Sequence, residues 1–125
     1  MEKIKKKILL IDDEKINRDG FIRYLRDEAE VKAFKDPDDF SEKICKPEDL
    51  ENIYLIVIDF KFNGYDARDK DVLTYIRSDL NYKGYIAIWS LSSQIPDIVS
   101  KKCDAVFPKI FLSMAEIEAI LRNQS

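Results

Sequence analysis

The sequence predicts an α/β domain built on a parallel sheet with helices on both faces. Two observations carry this prediction: short apolar runs typical of buried strands recur along the 125 residues, and segments with helical spacing of apolar residues lie between them. Strands that alternate with helices form βα units, and successive units assemble into a parallel sheet. With 46% hydrophobic and 36% charged residues, the composition is that of a folded globular chain. We therefore expect a single domain over residues 1–125, with no appended effector domain.

The first half of the chain supplies three strands and two helices. The strands are predicted at residues 7–11, 31–34 and 54–58, and the last is a wholly apolar run typical of a strand buried on both faces. The first helix follows the acids after strand one, and its apolar face is predicted to carry Ile16, Phe21, Tyr24 and Leu25. The DPDD run at residues 36–39 supplies turn and cap residues for a second helix.

The second half repeats the alternation of helices and strands. A third helix is predicted over residues 71–80, and strands four and five over 85–89 and 105–107. The segment between the last two strands is short, so the fourth helix, which begins near Pro96, is predicted to have only a turn or two. A capping box that starts at Ser113 predicts the last helix.

Polar residues follow the predicted strands. They are Asp12 and Asp13 after strand one, Asp59 after strand three, Ser90 after strand four and Lys109 after strand five. In such sheets the working site lies at the carboxyl ends of the strands, so we expect three carboxylates, a hydroxyl and an ammonium to converge there. Crowded carboxylates need a cation among them, and Mg²⁺ prefers this kind of oxygen donor. An aspartate held by such an ion can act as a nucleophile toward phosphorus.

Each of these residues also has a plain structural interpretation. Asp12 and Asp13 could be turn or cap residues that open the first helix. Asp59 could bond only to backbone amides at the end of its strand. Ser90 could be an ordinary turn hydroxyl, and Lys109 a solvated lysine.

Four pieces of the sequence resemble the receiver domains of response regulators in two-component signalling. They are KILLIDDEKINR at 7–18, IVIDF at 56–60, IAIWS at 86–90 and AVFPK at 105–109. The pieces occur in the right order and the resemblance covers nearly the whole chain. It implies a flavodoxin-like, doubly wound, five-stranded parallel sheet with the strand order 2-1-3-4-5.

The resemblance also implies a function and a role for each site residue. The Mg²⁺ ligands would be Asp12, Asp13, Asp59 and the backbone carbonyl of Lys61. Asp59 would be the phosphoacceptor, and Ser90 and Lys109 would contact the phosphoryl group. The donor would be a sensor histidine kinase or a phosphotransfer protein in a phosphorelay, and a downstream protein of unknown identity would read the result. Such a protein is not an enzyme beyond self-phosphorylation from a phosphodonor and autodephosphorylation.

Charge and hydropathy exclude two classes of partner. A net charge of −3 gives no basic field for direct nucleic acid binding. The longest apolar stretch near the start, residues 8–11, is far too short for membrane insertion or a signal peptide. We therefore expect a cytoplasmic protein.

Two alternative functions stay open. A receiver-like module that binds protein without phosphorylation is favoured by the bulky Leu91, by Val106 where receivers carry an aromatic residue, and by the order Pro108-Lys109. The short fourth helix points the same way. A Mg²⁺-dependent phosphatase of the haloacid-dehalogenase type is a remote alternative, because that family expects an aspartate at the position of Lys61.

Overall fold

The structure is a computed structural model that describes residues 6–59, 72–90, 102–108, 118–120 and 122. Five strands form one parallel sheet in the order β2-β1-β3-β4-β5. Their bounds are β1 Lys6–Ile11, β2 Ala29–Phe34, β3 Ile53–Asp59, β4 Tyr85–Ser90 and β5 Ala105–Pro108. The predicted fold class and strand order are confirmed. That one domain spans residues 1–125 stays a prediction.

Helices connect the strands in the described part of the chain. They are α1 Lys15–Leu25, α2 Pro37–Lys43 with a 3₁₀ turn Pro47–Leu50 behind it, and α3 over residues 72–79, which widens to a π-helix at Tyr75–Asp79. Residues 118–120 and 122 are helical and belong to the predicted last helix. The predicted fourth helix lies outside the described residues. No helix in the described ranges has both the length and the apolar character needed to cross a bilayer.

The sheet is buried on both faces, which explains the long apolar runs in its central strands. Along β1, Ile8 and Leu10 point to the face covered by α1, whereas Leu9 and Ile11 point to the face covered by α2 and α3. On the first face α1 contributes two buried side chains, Phe21 and Leu25, and on the second α2 and α3 contribute residues such as Phe40, Val72 and Ile76. Helices therefore cover both faces, as predicted.

The predicted apolar face of α1 is only half correct. Phe21 and Leu25 are buried, but Ile16 is 78% exposed and Tyr24 is 41% exposed. At about 100° per residue, Ile16 lies on the side of the helix opposite to Leu25. The prediction for Ile16 and Tyr24 was therefore wrong, since a helix against one face of a sheet buries only a narrow stripe.

The start of α2 agrees with the sequence. Asp36 is the N-cap residue, and its Oδ1 accepts a hydrogen bond of 2.7 Å from the backbone N–H of Asp39. Pro37 occupies the first turn, where its missing N–H costs no hydrogen bond. Asp36 thus satisfies one of the helix's unpaired amides.

One arginine of α3 makes hydrogen bonds to the segments that enter β4 and β5, at the amino-terminal ends of these strands. The Nε of Arg77 donates to the carbonyl of Lys102 at 3.1 Å, and its Nη1 donates to the carbonyls of Tyr82 at 3.0 Å and Gly84 at 2.8 Å. Its Nη2 donates to Oδ2 of Asp104 at 3.0 Å. The acceptors precede β4 and β5, so Arg77 joins α3 to the segments that enter both strands. We call these contacts the Arg77 clamp.

Tyr82 packs at the same end of the sheet. Its hydroxyl donates long hydrogen bonds to the carbonyls of Ile53 at 3.3 Å and Tyr85 at 3.4 Å, and burial raises the pKa of Tyr82 to about 12. The ring lies against Gly84, where an added Cβ would stand 2.4 Å from the Tyr82 hydroxyl. This end of the sheet therefore requires glycine at that position.

Candidate metal centre

The register of β1 and β3 brings two carboxylates to neighbouring strand ends. Ile11 pairs with Ile58, and each is followed directly by an aspartate, Asp12 or Asp59. Since side chains alternate along a strand, both aspartates project to the face that α1 covers. Two apolar strands that end at the same level thus place Asp12 beside Asp59.

A third carboxylate completes an acidic cluster. Asp12, Asp13 and Asp59 each offer one carboxylate oxygen, and the three oxygens lie within 4.8 Å of one another. Asp12 is 1% exposed and Asp59 is 9% exposed, whereas Asp13 is exposed and opens the cluster to solvent. Three negative charges this close repel one another where water is scarce, and a cation removes that cost. The donor set, all hard carboxylate oxygen, fits Mg²⁺.

The turn after β1 is held by hydrogen bonds to every polar part of the Asp12 backbone. Its N–H donates to the carbonyl of Phe34 at 3.0 Å, and its carbonyl accepts from Nη1 of Arg18 at 2.9 Å. The Oδ1 of Asp12 accepts from the N–H of Glu14 at 2.9 Å. The turn interpretation of Asp12 therefore holds together with its place in the cluster: the residue shapes the entry to α1 and also belongs to the acidic group.

Of the predicted site residues, the structure brings together Asp12, Asp13 and Asp59. Ser90 is the last residue of β4 and follows Trp89, whose strand position pairs with Asp59. The remaining predicted members, Lys61 and Lys109, lie outside the described residues, as does Leu91. The roles assigned to all of these residues stay predictions.

Sequence reasoning missed two residues near the cluster. Arg18 stands one turn into α1, and side chains on a helix lean toward its N-terminus, so a long cation there can reach back to the preceding turn. Trp89 is the only tryptophan, and it lies on the α1 face, where its ring is 5.6 Å from that of Phe21. Strand alternation could have placed Trp89 on the same face as Asp59.

Comparison with known proteins identifies the fold. No protein-family model matches the chain, and no curated protein matches its sequence. Among solved structures, a receiver domain (CheY-like) from Methylobacillus flagellatus matches with a TM-score of 0.77 and 12% identity, over 98% of this chain and 100% of that one. Response regulator TrrA from Thermotoga maritima, in complex with Mg²⁺-BeF, matches with a TM-score of 0.71 and 21% identity, over 92% of this chain and 98% of that one.

A third structure is the phosphorylated cyanobacterial phytochrome response regulator RcpA. It matches with a TM-score of 0.67 and 21% identity, over 97% of this chain and 91% of that one. All three similarities extend over nearly the whole chain. The chain therefore has the fold of response-regulator receiver domains, as the motifs of its sequence predict.

Proposed function

We propose that this protein is a response-regulator receiver whose Asp59 accepts a phosphoryl group from a histidine kinase or a phosphotransfer protein in the cytoplasm. The observation that supports this most is the acidic cluster, in which carboxylate oxygens of Asp12, Asp13 and Asp59 lie within 4.8 Å of one another. The cluster lies at the carboxyl ends of the strands, where ligands bind in open parallel sheets. The solved receiver structures with this fold include one in complex with Mg²⁺-BeF and one in the phosphorylated state.

In the proposed reaction a carboxylate oxygen of Asp59 attacks phosphorus. The new O–P bond forms as the bond from phosphorus to the donor's imidazole nitrogen breaks, and the electron pair of that bond leaves with the imidazole. Asp12 and Asp13, with Asp59 and the carbonyl of Lys61, would hold Mg²⁺. When bound, the ion neutralises negative charge that develops on the transferred group. By resemblance, Ser90 and Lys109 would contact the remaining phosphoryl oxygens.

The test is intact mass spectrometry after incubation with acetyl phosphate, with and without Mg²⁺. We expect an adduct of one phosphoryl group that requires the metal and is absent in Asp59→Asn. Asp19→Asn is the matched control, because Asp19 is an exposed acid on α1 that is not one of the three clustered carboxylates, and this variant should be modified like wild type. An unchanged adduct in Asp59→Asn would move the phosphoacceptor elsewhere and contradict the proposal.

A protein-binding module that works without phosphorylation is the second candidate, and one observation favours it. Val106, an apolar residue on the edge strand β5, is 39% exposed. Receiver domains carry an aromatic residue at this position, so the resemblance implies that this surface of the protein differs from theirs. If wild type folds and yet forms no adduct at saturating acetyl phosphate and Mg²⁺, this candidate replaces the first.

A further inference from the structure

We propose that Arg18 is a positioning residue for the metal centre: its guanidinium fixes the peptide unit that joins Asp12 to Asp13 and thereby sets the affinity of the centre for Mg²⁺. The inference rests on the proposed function, because it requires that these carboxylates bind the metal. In the proposed role, Arg18 contacts neither the metal nor the phosphoryl group. It acts through the backbone between two ligands.

The geometry of one hydrogen bond carries the inference. Nη1 of Arg18 donates to the carbonyl oxygen of Asp12 at 2.9 Å. That carbonyl belongs to the planar peptide unit between Asp12 and Asp13, so holding the oxygen also orients the N and Cα of Asp13. Asp13 is exposed and lies beyond the end of β1. Arg18 thus constrains the peptide unit that leads to the more exposed of the two ligands.

The other side of this peptide unit is already fixed. Asp12 is held by the bond from its N–H to the carbonyl of Phe34 and by the bond that its Oδ1 accepts from Glu14. The Arg18 bond opposes rotation of the peptide plane that follows Asp12, and so adds to the anchoring of this turn. A ligand set that is ordered before the metal arrives binds it more tightly, because less conformational entropy is lost on binding.

Arg18 is itself well placed to act on the turn. Its backbone N–H donates to the carbonyl of Glu14 at 3.1 Å in the first turn of α1, and its side chain is half-buried. A helical side chain leans toward the N-terminus, which is the direction of the metal centre. The donor is a cationic guanidinium, so the hydrogen bond is a charge-assisted one.

The charge of Arg18 and its positioning role predict opposite effects of its removal on Mg²⁺ affinity, so a measurement of that affinity distinguishes them. A cation near the centre repels Mg²⁺, so if charge dominated, loss of Arg18 would tighten metal binding. If positioning dominates, the same loss weakens it. Removal of groups that orient metal ligands typically costs about 10- to 100-fold in affinity. We expect about a tenfold weaker Mg²⁺ affinity in Arg18→Ala.

The experiment is calorimetric titration of Mg²⁺ into wild type, Arg18→Ala, Arg18→Lys and Arg23→Ala, with urea unfolding of each. Arg23→Ala is the matched control, because it removes the same charge from the exposed side of the same helix. We expect wild-type affinity in Arg23→Ala and partial recovery in Arg18→Lys, which keeps a donor but not the planar fork. If Arg18→Ala does not fold, Arg18→Gln replaces it, since that side chain lacks the guanidinium and its terminal nitrogen is two bonds closer to Cα.

The outcomes separate this inference from the proposed function. Wild-type or tighter Mg²⁺ binding by the Arg18 variant, even with lower stability, would leave Arg18 a purely structural residue and overturn the inference alone. Absence of Mg²⁺ binding by wild type would overturn both. Equal weakening in Arg18→Ala and Arg23→Ala would attribute the effect to the helix or its charge, and would also refute positioning.

Discussion

Replacement of Arg77 by alanine should destabilise the fold more than any surface charge normally does. The change removes three hydrogen bonds to backbone carbonyls and the ion pair with Asp104. A hydrogen bond from a charged donor contributes about 1.5–3 kcal/mol, whereas an exposed ion pair contributes about 0–1 kcal/mol. The Arg77 side chain is 23% exposed, so water can reach some of the vacated carbonyls and reduce the sum. We expect the free energy of unfolding to fall by about 2–4 kcal/mol.

The assay is urea unfolding followed by circular dichroism and by the fluorescence of Trp89. In thermal unfolding, a loss of about 1 kcal/mol in stability lowers the Tm of a chain of this length by about 3–5 °C. Arg77→Ala should therefore melt about 10 °C below wild type. Arg77→Lys should recover little, because the three donors of an ammonium share one nitrogen and cannot reach acceptors that Arg77 contacts from Nε, Nη1 and Nη2. Arg26→Ala is the control, since the Arg26 side chain is exposed and makes no hydrogen bond or ion pair with a residue in the described ranges.

Two results would refute the reasoning behind the Arg77 clamp. A loss below about 1 kcal/mol in Arg77→Ala would mean that the carbonyls are satisfied equally well by water. Full stability in Arg77→Lys would mean that charge alone, and not the fork of donors, ties α3 to the sheet.

Four further predictions concern single positions. Gly84→Ala should destabilise the protein by about 1–3 kcal/mol, because its Cβ would overlap the buried Tyr82 ring. Gly20→Ala, on the open face of α1, should stabilise the protein by about 0.5–1 kcal/mol in the same urea assay. The hydroxyl of Tyr82 has a folded pKa of about 12 against 10.0 when free, so its contribution is full below pH 10 and is lost as the pH rises toward 12. Wild type should therefore lose about 1–2 kcal/mol more than Tyr82→Phe between pH 10 and 12, and parallel alkaline curves would contradict this. Asp36→Ala should cost about 1 kcal/mol through loss of the α2 cap, and an unchanged melting temperature would show that water replaces it.

The strands could be predicted from sequence because the sheet is covered on both faces. A run such as residues 54–58 has no polar interruption when each side of the strand is buried, and its boundaries are therefore visible. The acidic cluster could be predicted for a related reason, since Asp12 and Asp59 directly follow apolar runs. For Ile16 and Tyr24 the pattern failed, because an apolar residue on a helix need not face the core.

Contacts to the backbone could not be predicted in the same way. Arg77 binds carbonyls up to 25 residues away along the chain, and a carbonyl is present at every position, so no residue type marks the partner. The bond from Arg18 to Asp12 is hidden for the same reason. The π-helical winding of α3 was also missed, because it differs from an α-helix by one residue of register and leaves no clear signature in apolar spacing.

The Arg77 clamp lies at the amino-terminal ends of the parallel strands, and the acidic cluster lies at their carboxyl ends. Residues that hold the domain together are thus largely distinct from those proposed to perform its chemistry. A lineage could exchange Asp13 or Asp59 for a neutral residue and still fold, while a change at Arg77 or Gly84 would lower the stability of the domain regardless of its activity. In this architecture, phosphorylation can therefore be lost in evolution while the fold is retained. A descendant that is no longer phosphorylated would still offer a stable surface for new partners.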